Sequence, residues 1–177
     1  MNIKKTYIEL AEIVSTLPAV KWVDLWSNQT DMFDMELPFP FPAVFIEINS
    51  DNIESIGELA QDINAFVTLH VAYETLAETY KGSYNQNTAL AFFDLLTELH
   101  KLLHGVNGEN FGEMNRVSLR AEQTGDNIIQ YEMTYNTVIR DYSAVKQYEQ
   151  ETVSGGLGVE QGEKPEQPTN NFFQIEL

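Results

Sequence analysis

The chain has 177 residues, 43% of them hydrophobic, and carries 27 Asp plus Glu against 10 Lys plus Arg, a formal charge of −17. That is enough apolar material for one folded domain with some length left over, and it excludes global disorder. So acidic a surface repels phosphate backbones and anionic membranes, which argues against nucleic-acid or lipid docking through basic patches. With no cysteine, disulfides, thiolate metal sites and Cys nucleophiles are excluded.

The N-terminal stretch MNIKKTYIELAEIV lacks the apolar core of about 7–15 residues that a signal peptide needs. No apolar run approaches the ~20 residues that span a bilayer. The expectation is a cytoplasm-like compartment. Ile3, Tyr7, Leu10, Val14 and Leu17 recur at three- and four-residue spacing, an amphipathic helix that Pro18 ends. VKWVDLW (20–26) reads as a strand, and the polar stretch 27–36 as a loop.

PFPFPAVFIEI follows, with Pro38, Phe39, Pro40, Phe41 and Pro42 leading into Ala43–Ile48. Proline fixes φ, lacks an N–H and biases the residue before it toward extended backbone. The lead-in is therefore stiff, and Ala43 to Ile48 is a buried strand. Residues 52–62 are polar and read as a connection. From Ala65 to Glu74 apolar residues alternate, predicting a long strand with one apolar face.

Gly82 to Asn87 marks a break, with Asn85, Asn87 or Thr88 available as a helix cap. Ala89, Phe92, Phe93, Leu96, Leu99 and Leu103 form the apolar stripe of a second helix, stopped by Gly105. Val117, Leu119 and Ala121 alternate in one closing strand, and Ile129 through Ile139 in another. Thr124-Gly125-Asp126-Asn127 between them suits a hairpin turn. The order is α-β-β-β-α-β-β, an α+β fold with two helices packed on a largely antiparallel sheet. The domain spans 1–144. Residues 145–177, rich in Glu, Gln, Gly and Pro, form an acidic tail expected to be flexible, closing on the apolar hook FFQIEL.

Signals for chemistry are sparse. His100 and His104 lie four apart on one helix face, the spacing of a two-histidine metal site. A metal-dependent hydrolase built on that pair is one reading. The zincin pattern would put Glu after His100, where Lys101 stands, and both histidines also suit the negative end of the helix dipole. His70 reads as a half-buried packing residue, and no pair of carboxylates lies inside an apolar segment. The expectation is no catalytic residue, no metal and no cofactor.

PAVFIEI, VTLHVAYET, ALAFFDLLTELHKLLHG and YEMTYNTVIRDYSA, in that order over residues 3–144, resemble the tail terminator and tail-completion proteins of tailed bacteriophages and related head–tail connection proteins. The resemblance implies a non-enzymatic virion protein of the tail or neck, found in host cytoplasm during assembly. It implies a homohexameric ring that ends the tail tube, joins it to head–tail connector proteins, and lets DNA pass without specific binding. Another tail or neck adaptor, or a tube-type subunit, is the alternative within the same machinery. Candidate contact residues are Pro38, Phe39, Pro40 and Phe41, whose rings either pack outward on a neighbour or fold back on their own core, and Phe172, Phe173, Ile175 and Leu177 of the hook. The hook hangs on some 23 residues of tether, with a reach of about 25 Å.

Overall fold

Apolar residues at helical spacing open the chain, and in the computed structural model they form α1 (Ile3–Ser15), which buries Leu10 and Val14 and ends three residues before Pro18. The structure describes residues 3–31, 39–74, 78–122 and 128–146. All of them belong to one unit, Met1–Lys146. Pro38, the turn at 124–127 and the tail from residue 147 onward, with its hook, lie outside the described residues.

Five strands follow: β1 (Trp22–Leu25), β2 (Ala43–Gly57), β3 (Ala60–Glu74), β4 (Asn115–Glu122) and β5 (Ile128–Asp141). They form one sheet in the order β1-β2-β3-β5-β4. β1 runs parallel to β2, and every other pair is antiparallel. The α-β-β-β-α-β-β order is as the sequence predicts. The second helix comes in two pieces, α2 (Gln86–Leu90) and α3 (Phe92–Leu103). At the join the Ala91 N–H reaches Thr88 O, three residues back rather than four. Asn85 stands at the cap position without a side-chain cap bond; its carboxamide oxygen instead accepts from the Glu78 N–H at 3.3 Å.

The polar stretch 52–62 is not a connection. β2 continues to Gly57 and β3 begins at Ala60, so the two strands form a long hairpin closed by Glu58 and Leu59 alone. Both turn residues have positive φ, 47° and 66°, the backbone of a type I′ turn whose twist matches the strands it joins. That turn usually announces itself with Asn-Gly. Here the signal is missing, because Glu and Leu hold the strained positions and the register of fifteen-residue strands enforces them. Asp62 and Arg140 face each other in register nearby, the guanidinium donating to both carboxylate oxygens at 2.8 and 3.2 Å.

One face of the sheet carries the main core. Val44, Ile46, Ala65, Val67, Leu69, Val71, Met133, Tyr135 and Ile139 pack there with Leu10 and Val14 of α1 and with Phe92, Leu96, Leu99 and Leu103 of α3. Burial on this scale, at about 25 cal/mol per Å² of apolar surface, is the main stabilising term. α1 also grips the loop after α3. Glu9 accepts from the Glu109 and Asn110 N–H groups at 2.6 and 3.1 Å, and Thr6 donates to Asn110 O at 3.0 Å.

The apolar alternation of β4 has a different outcome. Val117 and Leu119 are 51% and 45% exposed, because β4 is the outermost strand and the residues that cover the core stop short of it. The proline lead-in goes to the opposite face. Phe39 is buried there against Phe45, ring centroids 4.9 Å apart, with Phe41 and Trp26 around them.

Candidate functional site

Period-two geometry puts the residues between the core positions on the sheet's second face, which no helix covers among the described residues. Next to the small Phe39–Phe45 cluster, neighbouring strands there bring polar side chains together. β3 contributes Thr68 and His70. β5 contributes Gln130, Glu132 and Thr134, with His70 directly opposite Glu132 and Thr68 opposite Thr134. β4 adds Glu122, opposite Gln130, and β2 adds Glu47, opposite Thr68.

His70 is the centre of the group. It is 2% exposed, and its ring stacks on Trp26 with centroids 3.8 Å apart and planes 8° from parallel. Its Nε2 lies 3.0 Å from Glu47 Oε2, and its Nδ1 lies 3.6 Å from Glu132 Oε1, beyond hydrogen-bond reach. Asn49 donates to the other Glu47 oxygen at 2.7 Å. Burial by itself would raise the Glu47 carboxyl, but the hydrogen bonds from His70 and Asn49 and the His70 charge outweigh it, so its pKa is lowered.

Glu122 behaves in the opposite way. Burial raises its pKa first, and the neighbouring Glu132 carboxyl raises it further, while His70 and Gln130 act the other way. Gln130, 1% exposed, donates its Nε2 to Glu122 Oε2, and its Oε1 has no partner. A buried imidazole surrounded by carboxylates can move protons or hold a cation.

Sequence reasoning missed this group. Each member is an ordinary polar residue in an alternating strand, and only the β2-β3-β5-β4 register joins them. The reading of His70 as half-buried is corrected to fully buried with carboxylate neighbours. The absence of paired carboxylates is corrected by Glu122 and Glu132. The one sequence-level signal was polar residues recurring at every second position of strands whose other face is entirely apolar.

The structure keeps His100 and His104 together, ring centroids 4.8 Å apart. His104 Nδ1 accepts from the Arg116 N–H at 3.2 Å. The dipole argument for a charged His100 loses to burial first, and then to the nearby Arg116 and His104 charges, which together lower its pKa. Among the described residues, no third His, Asp or Glu joins this pair within ligating distance; the group that does meet that test is His70, Glu122 and Glu132.

Of the candidate contact residues, Phe39 is buried in its own chain, Pro40 is exposed, and Phe41 is partly buried. Phe41 and Pro42 form one wall of a groove with Leu17, Pro18, Tyr73 and Leu95. Pro38, Phe172, Phe173, Ile175 and Leu177 lie outside the described residues. Three further apolar side chains, Ile53, Ile56 and Leu59, are 54%, 47% and 55% exposed around the tip of the β2–β3 hairpin.

No protein-family model matches this chain, and no curated protein matches it. Among solved structures, one chain described as "Virion of native gene transfer agent (GTA) particle" is similar over 75% of this chain and 84% of its own. The two share 10% identity at a TM-score of 0.40, a likeness too distant to carry a functional argument. No helix among the described residues is long and apolar enough to cross a membrane.

Proposed function

We propose that this chain is a non-enzymatic structural subunit of a phage-type virion, acting by self-assembly at the end of the tail. In the finer form of this reading it is a tail terminator. A homohexameric ring stops the tube, contacts the tube protein on one side and head–tail connector proteins on the other, and leaves an acidic passage along which DNA slides unbound. The support is the sequence resemblance to such proteins together with the distribution of exposed apolar surface.

One observation carries most of the weight. Ile53, Ile56 and Leu59 stand exposed on the far half of β2 and at the tip of its hairpin with β3, where they add nothing to the core of their own subunit. Among the described residues, β4 is the outermost strand of the sheet and presents Val117 and Leu119 along that edge. An unpaired edge with apolar side chains is a liability for an isolated monomer and a ready contact in an assembly. A head-to-tail contact between such surfaces closes into a ring when its rotation permits.

The test is electron microscopy of particles assembled with the natural chain and with an Ile53→Asp, Leu59→Asp double variant. The expected result is a ring of this protein at the tail end, lost in the variant although the purified variant keeps its circular dichroism and melting temperature. Particles that lack the protein at the tail–neck region, or a variant that assembles as well as the natural chain, would refute the reading.

A further inference from the structure

We propose that His70, Glu122 and Glu132 form a binding site for a divalent transition-metal ion of the zinc class, which ties β3, β5 and β4 together across the uncovered face of the sheet. The His70 Nδ1 and one carboxylate oxygen from each glutamate lie within 4.8 Å of one another. Zinc binds imidazole nitrogen and carboxylate oxygen at ~2.0–2.2 Å, so ligand atoms on one ion stand roughly 3–3.5 Å apart. The 3.6 Å between His70 Nδ1 and Glu132 Oε1 is already close to that spacing. Glu122 closes the remainder by rotating its carboxylate.

Acidic clusters are common on a chain of charge −17, and three carboxylates near one another are not a metal site. Two buried atoms separate this group from such clusters. His70 is 2% exposed, yet among the described residues its Nδ1 has no hydrogen-bond partner and stands 3.6 Å from Glu132 Oε1. Gln130 is 1% exposed, and its Oε1 has no partner either, while its Nε2 holds Glu122. Leaving a buried polar atom without a partner destabilises the fold, because its hydration is lost and nothing replaces it. The His70 Nδ1 can offer its lone pair to a cation held with the two glutamates, and Gln130 fixes Glu122 beside it.

The surroundings of His70 match what a metal-bound histidine requires. Such a ring donates its other N–H to a carboxylate or carbonyl, which sets the tautomer and orients the lone pair. Glu47 Oε2, 3.0 Å from Nε2, does this, and Trp26 stacked on the ring holds its plane. One nitrogen and two carboxylate oxygens favour zinc or manganese over the all-oxygen sites of magnesium and calcium. Glu132 keeps 24% of its side chain exposed, which gives the ion an entry path. Zinc competes with protons for the same nitrogen and carboxylate lone pairs, so binding releases protons and weakens as pH falls.

The rival occupant is a proton. An imidazolium at His70, lying between Glu47 and Glu132, would satisfy the same neighbours without a metal. Titration calorimetry of the full-length protein with Zn²⁺, in two buffers of different ionisation enthalpy, is the first measurement. The ¹⁵N shifts of the His70 ring are the second. The expected result is one ion per chain, proton release, and a metal-bound Nδ1 with Nε2 protonated. His70→Ala and Glu132→Gln should each weaken binding at least 100-fold, and Glu47→Gln about 10–100-fold. The two Gln variants are near-isosteric, so a folding failure of His70→Ala does not blunt the test. A doubly protonated His70 ring at neutral pH with zinc present would overturn the proposal. So would zinc binding unchanged by Glu132→Gln, or abolished by His100→Ala instead. The outcome is independent of whether the protein forms a ring.

Discussion

The two faces of this sheet are built from alternate residues of the same strands and follow opposite rules. On the helix-covered face, Val67, Leu69, Val71, Met133 and Tyr135 repeat at every second position and bury against α1 and α3. Their identity is nearly interchangeable, since any apolar group of the right volume serves. On the other face, His70, Glu132 and Gln130 are buried as well or partly so, but each depends on particular partners on the neighbouring strands. A side chain on the first face is stabilised by how much surface it hides. On the second, it is stabilised or strained by which atom stands within 3 Å of it.

The largest test of that contrast is a truncation on each face. Leu99→Ala removes a fully buried side chain from the main core and should cost about 2–5 kcal/mol in denaturant unfolding. Thr134→Ala on the other face loses a 3.2 Å hydroxyl contact with Thr68 and should cost only about 0.5–1.5 kcal/mol. Equal losses would mean that the uncovered face carries as much of the stability as the helix-covered one.

A smaller effect probes where the apolar face breaks its own rule. Tyr135 is fully buried, its hydroxyl has no partner, and burial pushes its pKa up to about 12. Tyr135→Phe removes an unsatisfied polar atom while keeping the ring, and should stabilise the protein by about 1 kcal/mol. A loss of stability would reveal a partner for that hydroxyl and place a polar contact inside the apolar core.

The smallest effect is a pH dependence on the polar face. The Glu122 pKa is raised in the folded state, by burial first and Glu132 second. Its favourable contribution is therefore present below the ordinary carboxylate value of 4.5 and is lost as pH rises through the folded value. Glu47 has a lowered pKa, so its contribution is present above that ordinary value and is lost as pH falls through the folded one. In metal-free protein, Glu122→Gln should raise the melting temperature more at pH 7 than at pH 4. A gain that does not depend on pH would show that Glu122 carries no ionisation penalty in the folded protein.

Sequence periodicity and composition determined the two helical stretches, all five strands along their apolar stretches, and the α-β-β-β-α-β-β order. Amphipathic spacing is a local property, and hydrophobic burial rewards it in almost any packing. It could not reach the far half of β2, where residues 49–57 are all exposed and pair without hiding anything. There the hydrogen-bond ladder with β3 decides, and Glu58-Leu59 gives no turn signal. Nor could it tell that Val117 and Leu119 would face solvent, because coverage depends on how far the packed helices extend. The His70 cluster is the clearest case. Glu47, His70, Glu122 and Glu132 are scattered over 86 positions of the chain, and each is unremarkable among its neighbours. Strand order and register bring them together, and these are set by the whole sheet closing on its core.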